Sequence, residues 1–235
     1  MTVTGFVYAL IAGVVPSLIW LFFWTREDTD QPEPRSLLMG CFLGGMCAVF
    51  LAIPAEKSAA ALLSGPSMYA WWAGIEEVLK FVAVAAIALH SRHYDEPIDA
   101  MIYTIAVALG FAALENTLFV MGPLTSGSLS VSITTGNMRF IGATLVHVVS
   151  SGLIGFFLGL AFYRGRFAKF LAWAVGLAGA IAIHSAFNIA IVGAGVMDTL
   201  KAFGWIWGAV VIMIILFEEV KAVKPRLANP AATEV

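Results

Sequence analysis

Charge is what this chain has least of. Only 12% of its 235 residues are Asp, Glu, Lys or Arg, and 60% are hydrophobic; a soluble domain carries about 25% charged residues. A soluble globular fold is therefore excluded, and the chain reads as an integral membrane protein. The formal net charge is −2, which argues against a nucleic-acid partner. Cysteine is nearly absent. Cys41 and Cys47 sit six apart in one apolar run, on different helix faces, so they predict neither a disulfide nor a metal pair. No basic segment precedes the first apolar run, Gly5 to Trp24, so that run reads as a retained membrane helix rather than a cleaved signal. His-Glu-x-x-His is missing, and so is any nucleophile-elbow pattern. No repeat and no second domain is visible.

Long apolar runs are what is present. A spanning helix takes about 20 mostly apolar residues. Seven stretches qualify: 4–24, 36–54, 68–90, 98–121, 138–163, 168–192 and 202–220. The expected fold is all-α, a polytopic membrane bundle of about seven transmembrane helices. It forms one domain over 1–220, with an active-site core over 68–192, and a polar tail over 221–235 expected to be disordered. Pro54 is expected to close the second helix, and 122–136, rich in Ser, Thr and Gly, reads as a surface loop or a partly re-entrant lid. Nine basic residues fall on one side of the seven spans (Arg26, Arg35, Arg92, Arg164, Arg166, Lys169, Lys221, Lys224, Arg226) and three on the other (Lys57, Arg139, Lys201). The positive-inside rule then puts the C-terminus in the cytoplasm and the N-terminus outside, in a multi-pass protein of a bacterial inner membrane.

Against this background a few polar residues stand out, because ionisable groups at membrane depth are costly and usually serve a site. They are Glu76, Glu77 and Lys80; Glu115 and Asn116; Arg139 and His147; and His184 with Asn188. At 1.5 Å per residue, Glu76, Glu115, His147 and His184 each lie about 9–13 Å below the same, outer end of their helices. Four antiparallel segments thus bring polar groups to a common depth. Glu76 and Lys80 are i,i+4 and share a face, as do His184 and Asn188; Glu77 is i,i+3 from Lys80. Lys80 reads as the counter-ion that keeps two neighbouring carboxylates charged. Arg139, near a membrane end, either snorkels to head groups or pairs with a site carboxylate. Ser150 and Ser151 lie close to His147 without a nucleophile pattern and carry little weight.

Two chemistries fit this set. A carboxylate and a histidine can activate water as base and acid while a second histidine and Asn188 stabilise an oxyanion. Alternatively His147 and His184, with one or more of Glu76, Glu77 and Glu115 (Glu76 and Glu115 being the first choice), hold a divalent metal, for which imidazole and carboxylate donors suit zinc. Either gives hydrolysis by water. A different class, an ion or proton transporter using the buried Glu, Lys and His groups, also accounts for intramembrane charge.

At these residues the chain resembles the PrsW-type membrane proteases, bacterial enzymes that clip anti-sigma factors, within a superfamily shared with the CAAX prenyl endopeptidases and bacteriocin-immunity-type proteins. The matching pieces are Glu76-Glu77-x-x-Lys80, Phe111-x-x-x-Glu115-Asn116, Arg139 with His147, and His184-x-x-x-Asn188, in that order over about half the chain. The resemblance implies an intramembrane endopeptidase, and the outer-half depth of the polar cluster points to a cut in a single-pass membrane protein near its extracytoplasmic face. The resemblance also implies a water-activating role for Glu76, a supporting pair in Glu77 and Lys80, two site histidines, and an oxyanion role for Asn188. A tyrosine is expected three residues after Asn116; this chain has Phe119 there.

Overall fold

The computed structural model describes residues 2–28, 31–192 and 194–225. The tail expected to be disordered falls, from residue 226 on, outside the described residues. The described residues form helices joined by short connections, without strands: α1 Val3–Thr25, α2 Arg35–Ala60, α3 Gly65–Ile87, α4 Asp99–Thr125, α5 Leu129–Met138, a π-helical turn Arg139–Ala143, α6 Thr144–Leu160, α7 Arg166–Ile191 and α8 Val196–Lys221. Six of these are long and apolar enough to cross a membrane: α1, α2, α4, the continuous rod of α5, π-turn and α6 (129–160), α7 and α8. The seventh expected span, α3, has the length, 23 residues. What sets it apart is charge, since Glu76, Glu77 and Lys80 all lie in its middle, and all three are buried.

Two boundaries differ from the sequence expectation. Pro54 does not end α2, which continues to Ala60. Proline removes one N–H, which leaves the Phe50 carbonyl without its helical donor, and crowds the preceding turn, yet the helix carries on, and Ser58 Oγ adds a bond to the Pro54 carbonyl at 2.9 Å one turn later. Nor is 122–136 a loop or lid. α4 runs through Pro123 to Thr125, and α5 starts at Leu129. The reversal takes only residues 126–128, and Gly127, at φ 84°, supplies the left-handed conformation it needs.

α4 is the axis of the bundle. Every residue from Asp99 to Ala113 is buried, and α1, α2 and α6 pack around it. Small residues permit that crowding. A Cβ on Gly110 would lie 1.8 Å from the Phe42 carbonyl oxygen of α2, and one on Gly45 would lie 1.9 Å from the Val107 carbonyl oxygen of α4. On α6 a Cβ at Gly155 would meet Ala100 and Thr104 at 2.6 and 2.4 Å. Gly110→Ala is therefore expected to force α2 from α4 and cost about 1–3 kcal/mol. Thermal unfolding in detergent should show a lower Tm, whereas Gly208→Ala, with no atom within 4 Å of the added carbon, should leave it unchanged. Equal Tm values for the two variants would contradict the close-packed crossing.

Candidate active site

α3, α4, α6 and α7 each carry part of one polar cluster. α3 contributes three groups because successive residues on a helix are about 100° apart and i,i+4 pairs realign. Lys80 Nζ lies 3.4 Å from Glu76 Oε2 and donates to Glu77 Oε1 at 2.8 Å. Glu77 is wholly enclosed and saturated. It accepts from Lys80, from His184 Nδ1 at 2.8 Å, from Ser150 Oγ at 3.1 Å and from Ser151 Oγ at 2.7 Å. Ser150 and Ser151 thus serve as donors to a carboxylate, a role the sequence did not reveal. Their places three and four residues after His147, on its face of α6, were the available signal.

The imidazole protons follow from donor inventory. An ammonium can only donate, and Lys80 Nζ lies 2.9 Å from His147 Nδ1. That nitrogen is therefore the acceptor, and the ring proton sits on Nε2, which donates to Glu115 Oε2 at 3.0 Å. On α7, His184 donates from Nδ1 to Glu77, leaving Nε2 with a free lone pair. His147 Nδ1 and His184 Nε2 lie 3.7 and 3.8 Å from the same atom, Glu76 Oε2. The two rings meet edge to face, with centroids 4.9 Å apart. Glu76 Oε2 itself is buried and receives no hydrogen bond.

Arg139 does not snorkel. The π-turn inserts an extra residue per turn and presents Arg139 to α4, where its guanidinium donates to Glu115 and to the Asn116 side-chain oxygen. It also stacks over Phe119 at 3.9 Å, so the ring that stands where a tyrosine was expected acts as an aromatic shelf for the cation. The Asn116 amide donates to Thr144 Oγ1 at 2.9 Å, and that hydroxyl donates to the Arg139 carbonyl at 3.0 Å. The Ile141 carbonyl of the π-turn accepts from Trp207 Nε1 at 3.1 Å.

A cavity of about 730 Å³ opens onto this cluster. Glu76, Glu115, Arg139, His147, His184 and Asn188 line it, with apolar walls from α2 and α4. Glu77, Lys80 and Asn116 lie behind that lining. Asn188 is half-buried, one turn beyond His184, and its amide is free of hydrogen bonds to described residues. Glu56, from α2, also lines the cavity and was not singled out by the sequence.

Glu76, His147 and His184 each offer one donor atom within 4.8 Å of the others. The donor set suits a divalent ion once Lys80 releases His147 Nδ1: that nitrogen, the free lone pair of His184 Nε2 and a carboxylate oxygen without a hydrogen bond face one another, and each imidazole is oriented from behind by a carboxylate, as metal-bound histidines usually are. Glu115 is not one of these donors; it is taken up by Arg139 and by the far nitrogen of His147.

Comparison with known proteins agrees with this chemistry. The family described as PrsW family intramembrane metalloprotease matches residues 33–218. Protease PrsW of Geobacillus kaustophilus is 28% identical over 167 residues, covering 69% of this chain and 71% of its own length. Protease PrsW of Bacillus subtilis is 25% identical over 233 residues, 94% of this chain and 98% of its own. The Clostridioides difficile protein of the same name is 24% identical over 216 residues, 87% and 83% of the two chains. No solved structure matches the chain significantly. These relatives are proteases, and the transporter alternative finds no support. The chain belongs to the PrsW family of intramembrane metalloproteases, as a multi-pass, all-helical membrane protein.

Proposed function

We propose that this protease cuts a single-pass membrane protein, of the anti-sigma-factor kind, within the extracytoplasmic half of the bilayer, with Glu76, His147 and His184 at the reacting centre. The observation that carries the reading is the pair of histidine–carboxylate contacts, His147 to Glu115 and His184 to Glu77, which turn the opposite ring nitrogens, His147 Nδ1 and His184 Nε2, toward Glu76 Oε2. The ion these three residues would hold is zinc, the common choice for imidazole and carboxylate donors. When bound, it lowers the pKa of water and polarises the scissile carbonyl. The remaining steps belong to the chain. Glu76 would offer one carboxylate oxygen to the ion, which leaves the other to take the proton of the attacking water. Asn188, with an unengaged amide on the cavity wall, donates to the carbonyl oxygen as negative charge develops there. Glu77, Lys80, Ser150 and Ser151 hold His184 and Glu76 from behind, and Arg139 with Asn116 holds Glu115. The apolar cavity walls take the side chains flanking the cut bond.

The basic-residue count supports an N-terminus outside and a C-terminus in the cytoplasm, which puts the site in the outer half. The helical chain over 1–220 then acts as one domain with its catalytic core over 68–192.

The test is cleavage of a single-pass reporter by the purified chain in liposomes, with the cut site read by mass spectrometry. A zinc chelator should stop cleavage and added zinc restore it. Asn188→Ala should lower kcat by about 10²–10³-fold with KM nearly unchanged, as for loss of one oxyanion donor. Cleavage indifferent to the chelator, or an Asn188→Ala enzyme with full kcat, would overturn the assignment.

A further inference from the structure

At the opposite end of α4 from Glu115 lies a second carboxylate cluster that the protease reaction does not use. Asp28 follows α1, Glu33 precedes α2, and Asp99 opens α4. Each offers an oxygen within 4.8 Å of the other two. Asp99 and Glu115 are 16 residues apart on one helix, so about 24 Å separates this cluster from the active site.

Asp99 is the informative member. It is 1% exposed. Its Oδ2 accepts from the backbone N–H groups of Asp95 and Glu96, at 2.9 and 2.7 Å. Its Oδ1 is buried and receives no donor. A buried carboxylate oxygen left without a partner is costly, the more so when charged. Glu33 accepts from the hydroxyl of the enclosed Tyr103, which holds it beside Asp99. Among the described residues neither Glu33 nor Asp99 has a Lys or Arg within ion-pair reach. Carboxylates gathered in one corner repel, and a bound cation relieves that repulsion, as a proton shared between Glu33 and Asp99 otherwise would. The donors are all oxygen, with no imidazole or thiolate, which selects a hard ion over zinc.

We propose that Asp28, Glu33 and Asp99 form an ion site, separate from the catalytic one, for a hard divalent cation of the calcium or magnesium class. The ion ties the α1–α2 connection to the start of α4. Its occupancy stabilises the bundle around the helix that carries Glu115 at its other end.

The experiment uses the full chain in detergent, stripped with EDTA and titrated with calcium chloride or magnesium chloride. To silence the catalytic donors it is run on both the unmodified chain and Glu76→Gln. In both, Tm should rise saturably, by roughly 5 °C or more at a hundredfold excess over Kd. Asp99→Asn and Glu33→Gln should abolish the rise. Asp99→Asn should also melt no lower than the EDTA-stripped parent, because it relieves the uncompensated charge. Equilibrium dialysis with radioactive calcium on Glu76→Gln gives a reading independent of any variant at this end, with about one ion per chain expected. No bound ion and no Tm response to either salt, as a proton-shared carboxyl pair would give, overturns the proposal. So does a response undiminished in both carboxylate variants.

Discussion

Replacing Glu76 by glutamine is expected to leave a folded protein that no longer cuts. Glutamine has the shape of glutamate but carries no negative charge and takes no proton from water. Loss of a general base alone costs about 10²–10⁴-fold, and here the same carboxylate would also be a donor to the ion through its other oxygen, so a fall of at least 10³-fold is expected. Stability should hardly change. Glu76 Oε2 receives no hydrogen bond, and its nearest charge, Lys80, sits 3.4 Å away while making its shorter contact, 2.8 Å, with Glu77. Removing the Glu76 charge therefore leaves the ammonium paired. Reporter cleavage, zinc content and Tm should be measured together, with the first two lost and the third kept. Turnover within tenfold of the parent, at equal folded yield, would remove Glu76 from the centre of the mechanism.

Much of this arrangement can be read before any coordinates. The spacing of Glu76 to Lys80 and of His184 to Asn188, and the shared depth of four antiparallel segments, depend only on helical periodicity, and periodicity survives into the bundle. What periodicity cannot supply is the rotation of one helix against the next. Ser151 reaches Glu77 because α6 is turned so that its His147 face meets α3; no local pattern encodes that angle. Arg139 is a sharper case. The π-turn lies between it and His147, so counting residues at α-helical pitch misplaces its side chain, and its bond to Glu115 is hidden. Pro54 and Pro123 mislead in the other direction, since the usual breaker is absorbed inside α2 and α4. The corner of Asp28, Glu33 and Asp99 was illegible because connections between helices, not the helices, bring those carboxylates together.

The adjacent residue tests the other half of the site. Glu77→Gln is as conservative as Glu76→Gln, yet it is expected to cost about 3–5 kcal/mol, the usual penalty for removing one partner of a buried ion pair. Glu77 is 0% exposed and takes four donors, from Lys80, His184, Ser150 and Ser151. Neutralising it strands an ammonium that is itself 2% exposed in an apolar bundle. Among the described residues, the carboxylate then left within ion-pair reach of Lys80 is Glu76. Moving there would claim the oxygen proposed for catalysis, so whatever folds should also be impaired. Pairing the change with Lys80→Met separates the two effects. With both charges gone and volume roughly kept, the fold should recover, since replacing a buried pair by uncharged groups is often neutral. The double variant should therefore melt several degrees above Glu77→Gln alone, a coupling that a double-mutant cycle reads directly. Activity should stay low, because His184 no longer leans on an anion and its ring loses the charge that fixes its tautomer and aim. A Glu77→Gln protein as stable as the parent, or a double variant with no recovery, would mean that the Glu77–Lys80 pair does not hold this site together.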